Sequence, residues 1–184
     1  ELARRLIHGD MLELTDEVRG TCALAFCIGN SLPHLSGAAE ASEAILQMWD
    51  LTAPAGRVAL QVVNFDRVLA GAQPAAGGEE EALFDLPPLS TGDEADGVVE
   101  LDRRYRIPRR RGSDTADGAP QFLQFESELR SGGEVYHSNL ELLVLTRERL
   151  AACLPQDARV AWHGDFAGTA WSAGSPASIC VLSR

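Results

Sequence analysis

Apolar and polar residues follow two different patterns along the chain. From its start to about Asp66, short apolar runs without alternation stand between polar turns. "RLIHGD", residues 5–10, reads as a short buried strand ending at Gly9-Asp10. "CALAFCI", residues 22–28, reads as a second strand and "RVALQVVNF", residues 57–65, as a third. An unalternated apolar run suits a strand buried on both faces, as in a parallel sheet. Between the second and third strands, Ala41, Ala44, Ile45 and Met48 recur at helical spacing, with Glu40 and Glu43 near the start. Pro54 and Gly56 are expected to end that helix. Strand, crossover helix and strand in this order predict parallel strands with right-handed crossovers.

From Val98 the period changes to two. In "VVELDRRYRI", Val99, Leu101, Tyr105 and Ile107 alternate with charged neighbours, and "FLQFESEL" and "VYHSNLELLVL" follow, joined by "RSGGE". This predicts an antiparallel hairpin plus one more strand, each with a wet face. The acidic stretch from Leu69 to Asp96, rich in Gly, Pro and Ala, is expected to be a mobile loop, and so is "RRRGSDTADGAP". Thr146 can cap a helix over "RERLAACL", and "RVAWH" and "SICVL" close the chain as two strands. Tyr105 and Tyr136 are expected in the core, and His163 and Asp165 in structural roles.

This order carries a functional expectation. In open parallel sheets, ligands sit beyond the carboxyl ends of the strands. Asp10, the Gly29-Asn30-Ser31 group and Asn64-Phe65-Asp66 each stand at such an end. Three successive strands are therefore expected to deliver polar groups to one rim.

Composition narrows the partners. The 184 residues fit one domain, and the formal charge of -11 makes nucleic acid and anionic lipid surfaces poor partners. All the basic residues are arginine, and the run "RRYRIPRRR" is read as pairing with "GEEEALFD" or as solvated. No apolar run reaches the roughly 18 residues of a membrane span, and "ELARRLIHGDM" has too short an apolar stretch for a signal peptide. The four cysteines form no CxxC pair. Cys22 and Cys27, five apart on one strand, point to opposite faces roughly 16 Å apart and cannot bridge. Free thiols and a cytoplasmic setting are the reading.

"LIHGDMLEL", "CIGNSLPHL" and "APAGRVALQVVNFDRVL", in that order and spacing, resemble the third, fourth and fifth strand regions of class I S-adenosylmethionine-dependent methyltransferases. The nearest flavour is the glycine and sarcosine N-methyltransferase-like group. The resemblance implies an α/β fold, a Rossmann-like methyltransferase sheet carrying an antiparallel β insertion over residues 67–145. It also implies S-adenosyl-L-methionine as cofactor and a small-molecule acceptor, an amine by the group's flavour. The sequence departs from the family at its start, where no strand leads into a GxGxG turn and no acidic residue follows on the next strand. Residues 1–184 therefore read as the C-terminal part of a single methyltransferase domain that lacks its first two strands, and a divergent complete chain is the alternative.

The resemblance implies roles for particular residues. Asp10 matches the carboxylate that accepts from the adenine amine, with Met11 against the ring. Cys27, Ile28 and Gly29 would line the methionine and sulfonium. Asn30 and His34 would serve the methyl acceptor, Asn30 by orienting it and His34 by taking a proton. Ser31, Asn64 and Asp66 would help to bind that acceptor. Each residue also has a plain structural role open to it.

Two other classes remain in view. A non-catalytic binding domain can use the same fold. "GNSL" also resembles the Gly-Asp-Ser-Leu signature of SGNH-type esterases, with Ser31 as nucleophile. That chemistry needs a histidine oriented by a carboxylate, and the family's Asp-x-x-His is missing, since Val160 stands three before His163.

Overall fold

The computed structural model describes residues 7–18, 20–75, 81–92, 98–108 and 118–184. The chain divides into two compact units. One runs to Asn64 and resumes from Leu145 to Arg184, and the other is Phe65–Val144.

The first unit holds a four-stranded mixed sheet in the order β1-β2-β10-β9. β1 (Cys22–Cys27) and β2 (Thr52–Val63) are parallel, joined by α2 (Ala38–Asp50), as the strand-helix-strand pattern predicts. β9 (Arg159–His163) and β10 (Ala177–Ser183) are the two closing strands, β10 running antiparallel to both β2 and β9. α2 packs against β1 and β2. Its Ala41, Ala44, Ile45 and Met48 are buried, and so are Val58, Leu60 and Val62 of β2. α4 (Arg147–Ala152) starts at Thr146, whose hydroxyl accepts from the Arg149 amide, so the predicted cap is present. All four cysteines are free.

Two expectations in this unit need correction. Ile7–Asp10 is not a strand; residues 5 and 6 of that prediction lie outside the described residues. A strand needs a hydrogen-bonded neighbour, and β1 pairs only with β2 among the described strands. Asp10 instead forms a turn, its Oδ1 accepting from the Leu12 amide at 3.0 Å. The segment continues into the short α1 (Leu14–Glu17), tied to α2 through buried Gln47, whose amide accepts from Thr15 and donates to the Leu12 carbonyl. Pro54 and Gly56 do not end α2 either. The helix stops at Asp50, and both residues lie inside β2, where the register against β1 shifts. A proline is tolerated in a strand at such an irregularity. Gly56 is needed there, because a Cβ would stand 2.5 Å from Thr52 Cγ2 and 2.8 Å from the Ala23 carbonyl oxygen.

The second unit is an antiparallel sheet. β6 (Val99–Pro108), β7 (Phe122–Ser131) and β8 (Glu134–Leu143) pair in sequence order, as the period-two alternation predicts. The stretch read as a mobile loop from Leu69 contains α3 (Phe65–Gly71), β3 (Gln73–Pro74), β4 (Glu81–Asp85) and β5 (Leu89–Thr91). β4 and β5 both add to the edge of β6. Residues 76–80 and 93–97 of that stretch, and residues 109–117 of the second expected loop, lie outside the described residues. The apolar run of β4, Ala82-Leu83-Phe84, is only three residues long and lies in a Gly/Ala/Pro-rich stretch, too short to signal a strand. The arginines of β6 meet the acidic stretch as the sequence suggests. Arg104 lies 3.5 Å from Asp85, and Arg106 bridges Glu81 at 2.6 Å and Glu126 at 2.8 Å. Tyr105 is buried between Phe84 and Phe125. Tyr136, expected in the core, is exposed, because β8 is an edge strand whose residues 134–141 all face solvent.

Candidate functional site

The carboxyl end of β1 is where the sequence places its site, and there the backbone changes hand. Gly29 (φ 76°) and Asn30 (φ 64°) are consecutive left-handed residues. Glycine adopts that conformation without strain, and asparagine tolerates it better than most residues. The pair ends the strand and turns the chain through a 3₁₀ turn, Leu32–His34, into α2. Leu32 and Pro33 are buried and anchor the turn. The Ser36 hydroxyl, and after it the Ser36 amide at 2.9 Å, donate to the Glu40 carboxyl, lowering its pKa and securing the helix start.

Beside this turn lies a cavity of about 510 Å³. Met11, Leu14, Phe26, Cys27, Ile28, Ser31 and Met48 are among its walls. The described residues that line it carry no charged side chain. Its size and apolar character match the common small-molecule site. Burial pushes the Cys27 thiol up, offset in part by hydrogen bonds from the Leu32 backbone and the Ser31 side chain. Cys27 is thus a neutral thiol at pH 7, a wall and not a nucleophile.

Four of the expected site residues, Met11, Cys27, Ile28 and Ser31, therefore line one cavity. Asp10 precedes Met11 in its exposed turn. The Asn30 side chain points its oxygen back into the sheet, accepting from the Val63 amide at 2.6 Å and from Gln61 Nε2 at 3.4 Å. His34 is exposed at the end of the 3₁₀ turn. Asn64 is fully buried, and its Nδ2 is directed at the carbonyls of Ser172 (3.1 Å), Ala173 (3.2 Å) and Ser175 (2.9 Å). That side chain anchors the turn ahead of β10. Asp66 stands in the first turn of α3, in the other unit. The Ser31 hydroxyl donates to the Ile28 carbonyl at 3.0 Å. The His163 ring meets the Gly168 carbonyl, and Asp165 accepts from the Ala167 and Thr169 amides. No described histidine is hydrogen-bonded to Ser31, so the described residues assemble no serine triad.

Gln61 is the residue that sequence reading passed over. It sits in the interior of β2, inside an apolar run, and its amide oxygen accepts from Gly29 N at 2.7 Å. A single polar residue breaking "VALQVV" was the available signal.

No protein-family model matches the chain, and neither does any curated protein sequence. Solved structures do match it. The CcbJ methyltransferase from Streptomyces caelestis superposes with a TM-score of 0.63 at 17% identity, over 97% of this chain and 62% of that one. An S-adenosylmethionine-dependent methyltransferase from Clostridium acetobutylicum gives 0.65 at 9%, over 97% and 63%. The fold is that of class I methyltransferases. The sugar N-methyltransferase KedS8 from Streptoalloteichus gives 0.58 at 14%, over 99% and 65%. The chain thus spans less than two thirds of the length of each of these methyltransferases. The Rossmann-like architecture expected from the strand motifs is present, and the described residues form its sheet in the order β1-β2-β10-β9. No helix among the described residues is long and apolar enough to cross a membrane.

Proposed function

We propose that the chain is the C-terminal part of an S-adenosyl-L-methionine-dependent methyltransferase that acts on a small-molecule amine. The observation that carries this reading is the cavity at the end of β1, whose lining includes Met11, Cys27, Ile28 and Ser31, in a fold shared with methyltransferases. KedS8, a sugar N-methyltransferase by its name, supports an amine acceptor.

The residues present fit part of the cofactor. An adenine ring is a flat apolar body with polar edges, and Met11 and Ile28 offer it an apolar wall, with Asp10 next along the chain as an acceptor for its amine. The ribose and the amino-acid end call for charged partners, and the described lining carries no charged side chain. We assign those partners to a strand pair preceding Glu1. The free edge of β1 supports this, because Leu24 and Phe26 of that strand are 53% and 63% exposed. Covering what remains exposed of such side chains stabilises by about 1–2 kcal/mol each, and an uncovered apolar edge invites aggregation.

When bound, the cofactor supplies a methyl group made electrophilic by its positively charged sulfur. The protein's part is then to position the acceptor, exclude water and leave the attacking lone pair free. Asn30 orients the acceptor. Asn64 acts one step removed, by holding the turn at Ser172–Ser175. His34 is the candidate to take a proton when the acceptor arrives protonated.

The test is methyl transfer from labelled S-adenosylmethionine to a panel of primary and secondary amines, using the full-length protein. Label in the amine is expected. Cofactor binding without transfer would favour the binding-domain reading, and ester turnover lost in Ser31→Ala would favour the hydrolase. Within the same assay, Asp10→Ala is expected to weaken S-adenosylhomocysteine binding roughly ten- to a hundredfold, the worth of about 1.5–3 kcal/mol for a hydrogen bond to a charged acceptor. Asn30→Ala should lower the single-turnover rate and leave cofactor affinity near parent. Parent behaviour in either variant removes that assignment.

A further inference from the structure

The direction of the Asn30 amide is dictated by its partners. The Val63 amide can only donate, so the Asn30 atom facing it at 2.6 Å is the oxygen. The same logic fixes Gln61. Gly29 N can only donate, so Gln61 turns its oxygen to it at 2.7 Å, which leaves Gln61 Nε2 facing the Asn30 oxygen at 3.4 Å. One amide side chain thereby serves both left-handed residues, the backbone of Gly29 and the side chain of Asn30. The consequence lies on the other end of Asn30. Its two Nδ2 protons have no acceptor among the described residues. Asn30 itself stands in the chain two residues after Ile28 and directly before Ser31, both of which line the cavity.

We propose that Gln61 is a positioning residue of the acceptor site, locking Asn30 as a pure donor that reads an oxygen on the methyl-accepting molecule. This rests on the methyltransferase reading. A donor cannot steer the attacking amine through that amine's lone pair without blocking attack. Asn30 therefore meets a hydroxyl, carbonyl or carboxylate oxygen carried beside the amine. A flipped Asn30 would set its Nδ2 against the Val63 amide and Gln61 Nε2, both donors, so the Gln61 contact adds to the Val63 amide in opposing the flip that would turn the oxygen to the ligand.

Two variants of the full-length protein separate this from a merely structural role. Gln61→Met keeps the length and removes both polar ends. Gln61→Glu keeps an acceptor for Gly29 but loses the donor to Asn30. The readouts are the Gly29 amide proton by nuclear magnetic resonance, the single-turnover rate with an amine bearing a neighbouring hydroxyl, and the S-adenosylhomocysteine affinity. In Gln61→Met the Gly29 proton should move upfield and exchange faster with solvent, and the rate should fall roughly ten- to a hundredfold with cofactor affinity near parent. In Gln61→Glu the Gly29 proton should stay downfield while the rate still falls. Parent rate in Gln61→Glu, or an unmoved Gly29 proton in Gln61→Met, overturns the proposal. If the parent methylates no amine, the methyltransferase reading fails by itself. The Gly29 shift then still decides whether Gln61 clamps the turn.

Discussion

S-adenosylhomocysteine is expected to bind the 184-residue chain at least a hundredfold more weakly than it binds the same chain preceded by the proposed upstream strand pair. The reasoning starts from the cavity. Its described walls offer thioether, thiol, hydroxyl and aliphatic surface but no charge. The cofactor's ribose hydroxyls and its amino-acid end each lose water on binding and need that water replaced. A hydrogen bond to a charged group contributes about 1.5–3 kcal/mol, and two missing groups of this kind amount to at least a hundredfold in affinity. Strand pairing adds to the effect, because β1 is an edge strand that carries Phe26 and Leu24 outward. A second strand on that edge would fix the register of Cys27–Gly29, on which close approach to the ligand depends. Isothermal calorimetry on both lengths gives the answer. Equal affinity would show that the described residues already hold everything the cofactor needs, and the fragment reading would be lost.

Asn64→Leu is expected to lower stability by about 3–5 kcal/mol, a large loss for one volume-conserving substitution in a domain this size. The side chain is fully buried, and the two protons of its Nδ2 are shared among three carbonyls of the Ser172–Ser175 turn. Leucine has nearly the same volume, so the loss is not a cavity. It comes from carbonyls left without a donor, each costing about 1–3 kcal/mol where water cannot reach. Part of the cost is relieved because two of the three bonds are only part-buried. Urea unfolding monitored by Trp171 fluorescence measures it; Trp171 lies next to the turn and donates its ring nitrogen to Ser178. A loss under 1 kcal/mol would mean that the turn finds other donors and does not depend on Asn64.

Much of the fold could be read in advance because its signals are local. The run Cys22–Ile28, the spacing of Ala41, Ala44, Ile45 and Met48, and the alternation through Val99–Ile107 each depend on neighbours within one element. β4 is not legible because a run of three apolar residues carries its whole signal, and Ile7–Asp10 reads as a strand in sequence while nothing described pairs with it. The site followed the same division. Cys27, Ile28 and Ser31 reach one cavity because the end of β1 places them there, and Met11 joins them from the turn ahead of α1. Asn64 and Gln61 could not be assigned, since their partners lie 108–111 and 31–32 residues away in sequence. An asparagine at a strand end looks the same in sequence whether it faces a ligand or three carbonyls.

The claim at the centre of the account is that the cavity beside the Gly29-Asn30 turn receives the adenosine of the cofactor. A crystal structure of the full-length protein with S-adenosylhomocysteine tests it directly. The adenine is expected against Met11 and Ile28, its exocyclic amine donating to the Asp10 carboxylate, and the sulfur close to the Gly29 backbone. An adenine bound elsewhere, with Met11 and Ile28 left in contact with solvent or with protein alone, would contradict it.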